Sequence, residues 1–123
     1  MNNTPKEEQD QMALAELLDR LGLDFIHVPN EIKSKPQYYS KRRRLGVKKG
    51  FPDNLIFTVP PNFPGSKGAV IELKRLNGGV VSEEQNEWIA KLAIQGWEVA
   101  ICRGIDDAIK QLEKWGYVNK RGN

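Results

Sequence analysis

Two apolar runs, Asp53 to Val59 and Ala69 to Arg75, are separated only by Pro60-Pro-Asn-Phe-Pro-Gly-Ser-Lys-Gly68, and this interval constrains the fold more than any other stretch. A segment so dense in proline and glycine turns the chain and continues neither strand, so the runs on its two sides pair most simply as an antiparallel hairpin. A helix start comes next. Ser82-Glu83-Glu84-Gln85 has the form of a capping box, the Ser82 hydroxyl accepting from the Gln85 backbone N–H while the Gln85 side chain reaches back. The helix places Trp88, Ile89, Leu92 and Ala93 on one face and stops at Gly96, and Trp97 to Cys102 follows as a buried strand. A strand regained through a helix lies parallel to its predecessor, so the sheet is mixed.

The flanks complete the pattern. Met12, Leu14, Leu17, Leu18 and Leu21 recur at helical spacing before Gly22, which predicts an amphipathic helix over roughly residues 6 to 21. Phe25, Ile26 and Val28 form a short strand closed by Pro29, and His27, the single histidine, reads as a core residue of that strand. Asn30 to Phe51 has no clear period and reads as a loop with room for a helical turn. Asp106 caps a last helix with Ile109, Leu112 and Trp115 inward before Gly116. The expected fold class is therefore α/β, in the order αβββαβα, with a mixed central sheet flanked by helices. At 123 residues the chain is expected to be a single domain spanning 1–123.

Charge and cysteine content narrow the setting. The start, MNNTPKEEQDQ, has no apolar signal region, and no run approaches the roughly 18 to 20 apolar residues of a membrane span. The expectation is a cytoplasmic chain, neither secreted nor membrane-bound. Cys102 stands alone, so neither an intramolecular disulfide nor a cysteine-built zinc site is available, and burial in a strand is its expected fate. The net charge of +3 is unevenly spread: Lys33, Lys35, Lys41, Arg42, Arg43, Arg44, Lys48 and Lys49 follow one another with only uncharged residues between them. Such a block is either a solvated loop or a phosphate-binding arm that gains affinity by releasing counterions from DNA. Tyr38 and Tyr39, just before it, either stack on bases or pack the loop down.

The hairpin also gathers polar residues. It sets the start of its first strand beside the end of its second, which brings Asp53 near Glu72 and Lys74. With period-two alternation, Glu72 and Lys74 share one face while Ile71 and Leu73 share the other. Carboxylates of Asp53 and Glu72 with the backbone carbonyl of Leu73 are hard ligands suited to Mg²⁺ or Mn²⁺. Such an ion neutralises a scissile phosphate and acidifies an attacking water. The Lys74 ammonium, beside two carboxylates, stays protonated and serves first as an electrostatic stabiliser. Taken alone, Glu-x-Lys on a strand is a surface ion pair worth about 0–1 kcal/mol. Its company here, a Pro-Asp opening, a basic arm and Gln85 three residues into a helix, points to phosphodiester chemistry.

Lys49-Gly50-Phe51-Pro52-Asp53, Ile71-Glu72-Leu73-Lys74 and Ser82-Glu83-Glu84-Gln85 followed by Trp88 resemble the VRR-NUC branch, the virus-type replication-repair nucleases, of the PD-(D/E)xK superfamily. The likeness runs from about His27 to Ile101. It implies a restriction-endonuclease-like core and a divalent-metal-dependent endodeoxyribonuclease acting on branched DNA, of Holliday-junction or flap type. Small stand-alone members are often phage proteins and act as homodimers, which implies a bacterial or phage-infected cytoplasm. Carried over, Asp53 and Glu72 become metal ligands, Lys74 the catalytic lysine, and Gln85 a group that orients the lysine or a phosphate, caps its helix, or does both. Glu8, with Gln11, resembles the family's helix-one Glu-x-x-Gln and is the candidate third acid; Glu7, Glu16 and Glu31 are its rivals. The DNA-binding residues are then Lys41, Arg42, Arg43, Arg44, Lys48 and Lys49. The competing reading is a non-catalytic DNA-binding or assembly module on the same fold.

Overall fold

The hairpin forms as its turn demands. In the computed structural model, which describes residues 6–29 and 36–119, β2 (Asn54–Ile56) pairs antiparallel with β3 (Ala69–Lys74), Asn54 lying opposite Ile71. The sheet order is β1-β2-β3-β4, with β1 (Phe25–His27) antiparallel to β2 and β4 (Glu98–Arg103) parallel to β3. The parallel crossover runs through α3 (Glu83–Ile94), and α1 (Lys6–Arg20), α2 (Pro36–Arg44) and α4 (Gly104–Trp115) complete the chain. The α/β class with a mixed sheet is thus observed, with one helix more than expected.

That helix, α2, occupies the basic segment read from sequence as a loop. Its mean hydropathy is strongly polar and it ends in Lys41-Arg42-Arg43-Arg44, so no apolar stripe announces it. Glu31, Lys33 and Lys35 lie outside the described residues, as do the side chains of Tyr38 and Tyr39.

One face of the sheet makes the core. Ile56, Ala69, Ile71, Leu73 and Cys102 pack against Leu14 and Leu18 of α1 and Ala108, Leu112 and Trp115 of α4. Each large apolar side chain buried there contributes about 1.5–3 kcal/mol. Alternation sends Glu72 and Lys74 to the opposite face, toward the N-terminus of α3. The capping box that starts α3 is present in both its hydrogen bonds.

Several local expectations are corrected. Strand β2 covers three residues, not 53–59, because Asp53 spends its side chain on β3 and Phe57 N–H donates to the Asp24 carbonyl at 2.7 Å instead of joining the hairpin. Helix α4 starts at Gly104, whose φ of +81° turns strand directly into helix. Its first turn is capped through Asp107, whose Oδ2 accepts from Arg103 N–H at 2.8 Å, and not by Asp106. His27 is exposed at the sheet edge, its Nδ1 donating to the Asp53 carbonyl at 2.9 Å. Ala93 is also exposed, because α3 covers β4 with Leu92 foremost.

Candidate active site

Three elements deliver the site. Asp53 sits just before β2, where its carbonyl accepts from Val28 N–H at 2.6 Å and its Oδ2 accepts from Leu73 N–H at 3.1 Å. The side chain thereby continues the hairpin one step past the last ladder pair. A strand residue projects its N–H and C=O to the same flank, so the Leu73 carbonyl is presented on the Asp53 side. Strand β3 supplies Glu72, 1% exposed, and Lys74, 6% exposed, with Lys74 Nζ 3.3 Å from Glu72 Oε2. Helix α3 supplies Gln85, whose Nε2 donates to Glu72 Oε2 at 3.1 Å while its Oε1 accepts from Ser82 N–H at 2.9 Å. Gln85 caps its helix, one of the two roles weighed for it, and its amide N–H grips the buried Glu72 carboxyl.

The electrostatics follow from counting charges. One ammonium faces the buried Glu72 carboxyl and the half-buried Asp53 carboxyl. The 3.3 Å ion pair taken alone favours an ionised Glu72, but burial and the Asp53 charge outweigh it and push the Glu72 carboxyl up to about 8. Asp53 is also raised by burial, held back by the Leu73 N–H, by Glu72 and more weakly by His27 and Lys74. At neutral pH the pair keeps a proton. Glu72 Oε1 is buried with no hydrogen-bond donor among the described residues. Two acid groups that share a retained proton, with one buried Glu72 oxygen lacking a partner among the described residues, are hard ligands of the kind a divalent ion would take in the proton's place.

The remaining candidates are placed as follows. Glu8 and Glu16 are exposed on α1 and Glu7 is half-buried. Among the described residues no group of three or more His, Cys, Asp and Glu is disposed to hold a metal. Lys41, Arg43, Arg44, Lys48 and Lys49 are exposed and Arg42 half-buried, and Lys49 Nζ pairs with Glu84 Oε1 at 3.7 Å.

Sequence reasoning missed three arrangements, the first two of which brace the site. Gln11 of α1 and Asn54 exchange two amide hydrogen bonds, at 2.8 and 3.0 Å, which anchors β2 immediately beside Asp53. Gly50, at φ +85°, passes so close to α3 that a Cβ there would fall 2.7 Å from Glu84 Cβ and 2.9 Å from Gln85 N. With Phe51 edge-on to Trp88 at 5.1 Å, this clamps the Asp53 loop to the helix that holds Gln85. Asp10 is 2% exposed, with Lys6 at 3.5 Å and one oxygen unpartnered among the described residues. Its spacing of four from Leu14, and of four again to Leu18, was the available signal.

The VRR-NUC domain profile matches residues 6–106. A solved structure described as a VRR_NUC domain protein is similar at a TM-score of 0.74 and 23% identity, over 94% of this chain and 91% of that one. That likeness concerns the fold. No curated protein matches this chain.

Proposed function

The chain belongs to the VRR-NUC domain family, and from that premise of a nuclease-type function we propose that it is a divalent-metal-dependent, structure-specific endonuclease that hydrolyses phosphodiesters in branched DNA. One observation supports this above the others: the Asp53–Glu72–Lys74 cluster, with two acid groups to one ammonium and a buried Glu72 oxygen without a partner among the described residues, lies at the end of a sheet in a chain bearing a basic helix. Asp53, Glu72 and the Leu73 carbonyl would hold Mg²⁺ or Mn²⁺. The ion, when bound, supplies charge neutralisation at the scissile phosphate and a water acidic enough to attack. Lys74 stabilises the charge that builds on the phosphate oxygens, its buried ammonium held in place by Glu72. Gln85 fixes the Glu72 carboxylate through one oxygen and leaves the other free. Helix α2 and Lys48 neutralise flanking phosphates and set the strand's register. Opposed nicks across a junction need two such sites, which favours a homodimer.

Labelled four-way junction, flap, linear duplex and single-stranded RNA, incubated with Mg²⁺ or Mn²⁺, test the proposal. Branched DNA is expected to be cut, and the Asp53→Ala and Lys74→Ala proteins to bind it without cutting. The rival, a non-catalytic module, has one observation on its side: only two acids meet among the described residues. Calorimetric titration with Mn²⁺ separates the two. Heat that vanishes in Glu72→Ala supports the enzyme; no heat in either protein, with no cutting, supports the module.

A further inference from the structure

Strand β3 ends at Lys74, and the seven residues after it, Arg75-Leu-Asn-Gly-Gly-Val-Val81, return the chain toward α3. This loop is not loose. Arg103 Nη1 donates to the Gly79 carbonyl at 2.7 Å and to the Arg75 carbonyl at 3.4 Å, and Arg75 Nη2 donates to the Gly78 carbonyl at 3.4 Å. Gly79 lies against the catalytic strand: a Cβ there would sit 3.2 Å from Lys74 Cβ. A loop tied down by two arginines nevertheless holds out two large apolar side chains, Leu76 at 65% and Val80 at 79% exposure. Single exposed apolar residues need no explanation, but two on one short, tethered loop beside a candidate active centre do.

The surroundings say what chemistry suits them. Arg75 is exposed at the foot of this loop, Arg103 is half-buried beneath it, and residues 75–81 carry no acidic side chain, while Lys74 is buried against Glu72, so the two apolar side chains stand beside exposed positive charge. That pattern complements the end of a base stack, an apolar π-face bounded by phosphates, and repels neither part of it. In a continuous duplex the π-faces are covered by neighbouring base pairs; at a branch point one pair is left with an open face. Proteins that kink or open DNA insert leucine- or isoleucine-like wedges at such places.

We infer that Leu76 and Val80 form an apolar wedge that packs on the exposed face of the base pair at a DNA branch point, placing the neighbouring phosphate at the Asp53–Glu72–Lys74 cluster. The inference rests on the nuclease reading and adds to it the source of a preference for branched substrates. The wedge reads shape and leaves sequence unread, because every base pair offers a similar apolar face.

The test uses the intact chain with Leu76→Ser/Val80→Ser, and Leu76→Met/Val80→Ile as the conservative control. Affinities for a labelled four-way junction and for linear duplex of the same composition are measured in Ca²⁺, with 2-aminopurine at the branch reporting unstacking. The wild-type chain and the Met/Ile variant are expected to favour the junction and to raise the 2-aminopurine fluorescence. The Ser/Ser variant is expected to lose about ten-fold or more in junction affinity, keep its duplex affinity within about two-fold, and leave the fluorescence flat. An unchanged junction-to-duplex ratio in the Ser/Ser variant overturns the wedge while leaving the nuclease reading intact. So does equal loss on both DNAs, or a loss traced by sedimentation to a change in oligomeric state, which would assign the loop to a protein interface. If the wild-type chain binds and cuts no DNA, the nuclease reading fails first and the wedge with it.

Discussion

Replacing Glu72 by glutamine removes the ionisable group and keeps the shape, and it tests the proposal that a cation takes the place of the retained proton. The Glu72 carboxyl ionises near 4.5 in an ordinary setting and is pushed up to about 8 in the fold by burial and by Asp53. The folded chain therefore holds this proton more tightly than the unfolded chain. The group costs nothing while both states are protonated; its burden grows as pH rises from about 4.5 to about 8 and is constant above. At about 1.4 kcal/mol per pH unit, the metal-free protein loses roughly 3–4 kcal/mol between about pH 5 and about pH 8 through this group. The shift at Asp53 acts in the same direction. Urea unfolding in EDTA at the two pH values, for wild type and Glu72→Gln, reads the effect as a difference of differences. The variant is expected to escape most of the loss and to melt on the order of 10 °C higher than wild type at the upper pH. Adding Mn²⁺ should stabilise wild type strongly and the variant little. Parallel pH dependence in the two proteins, or a variant less stable than wild type at the upper pH in EDTA, would show that Lys74 alone satisfies the carboxylates and that the cluster has no need of a cation.

Lys74→Met should lower single-turnover cleavage at least a hundred-fold, with junction affinity and Mn²⁺ affinity within a few-fold of wild type, because the ammonium is assigned to the reacting phosphate. Gly50→Ala combines a backbone at φ +85° with a Cβ 2.7–2.9 Å from α3, so a stability loss of about 2–4 kcal/mol in urea unfolding is expected. A loss under about 0.5 kcal/mol would mean that the loop is not clamped. Arg43→Ala/Arg44→Ala should weaken binding to every DNA alike and reduce the slope of log K against log salt by about 2. Cys102 is buried in the core with its thiol pushed up to about 12, so its labelling by a thiol reagent should follow global unfolding and slow as the protein is stabilised.

The hairpin, the capped helix and the parallel return were written in local patterns: a turn that no strand can cross, a Ser-x-x-Gln box, and runs with period 2 or 3.6. Those patterns dictate topology, and topology with strand alternation is enough to place Asp53 near Glu72 and Lys74. Helix α2 was not legible, because a helix of charged and polar residues has no apolar face to betray it. The Gln11–Asn54 amide pair, the approach of Gly50 to α3 and the burial of Asp10 were equally hidden, each depending on how closely elements remote in sequence pack. Sequence by itself determined which residues are offered to the site, since residue type and strand period are local properties. Only the tertiary structure decided that a half-buried Asp53 and a buried Glu72 meet beside one buried ammonium. The raised Glu72 carboxyl and the proton it retains arise from distance and burial, which no single segment specifies.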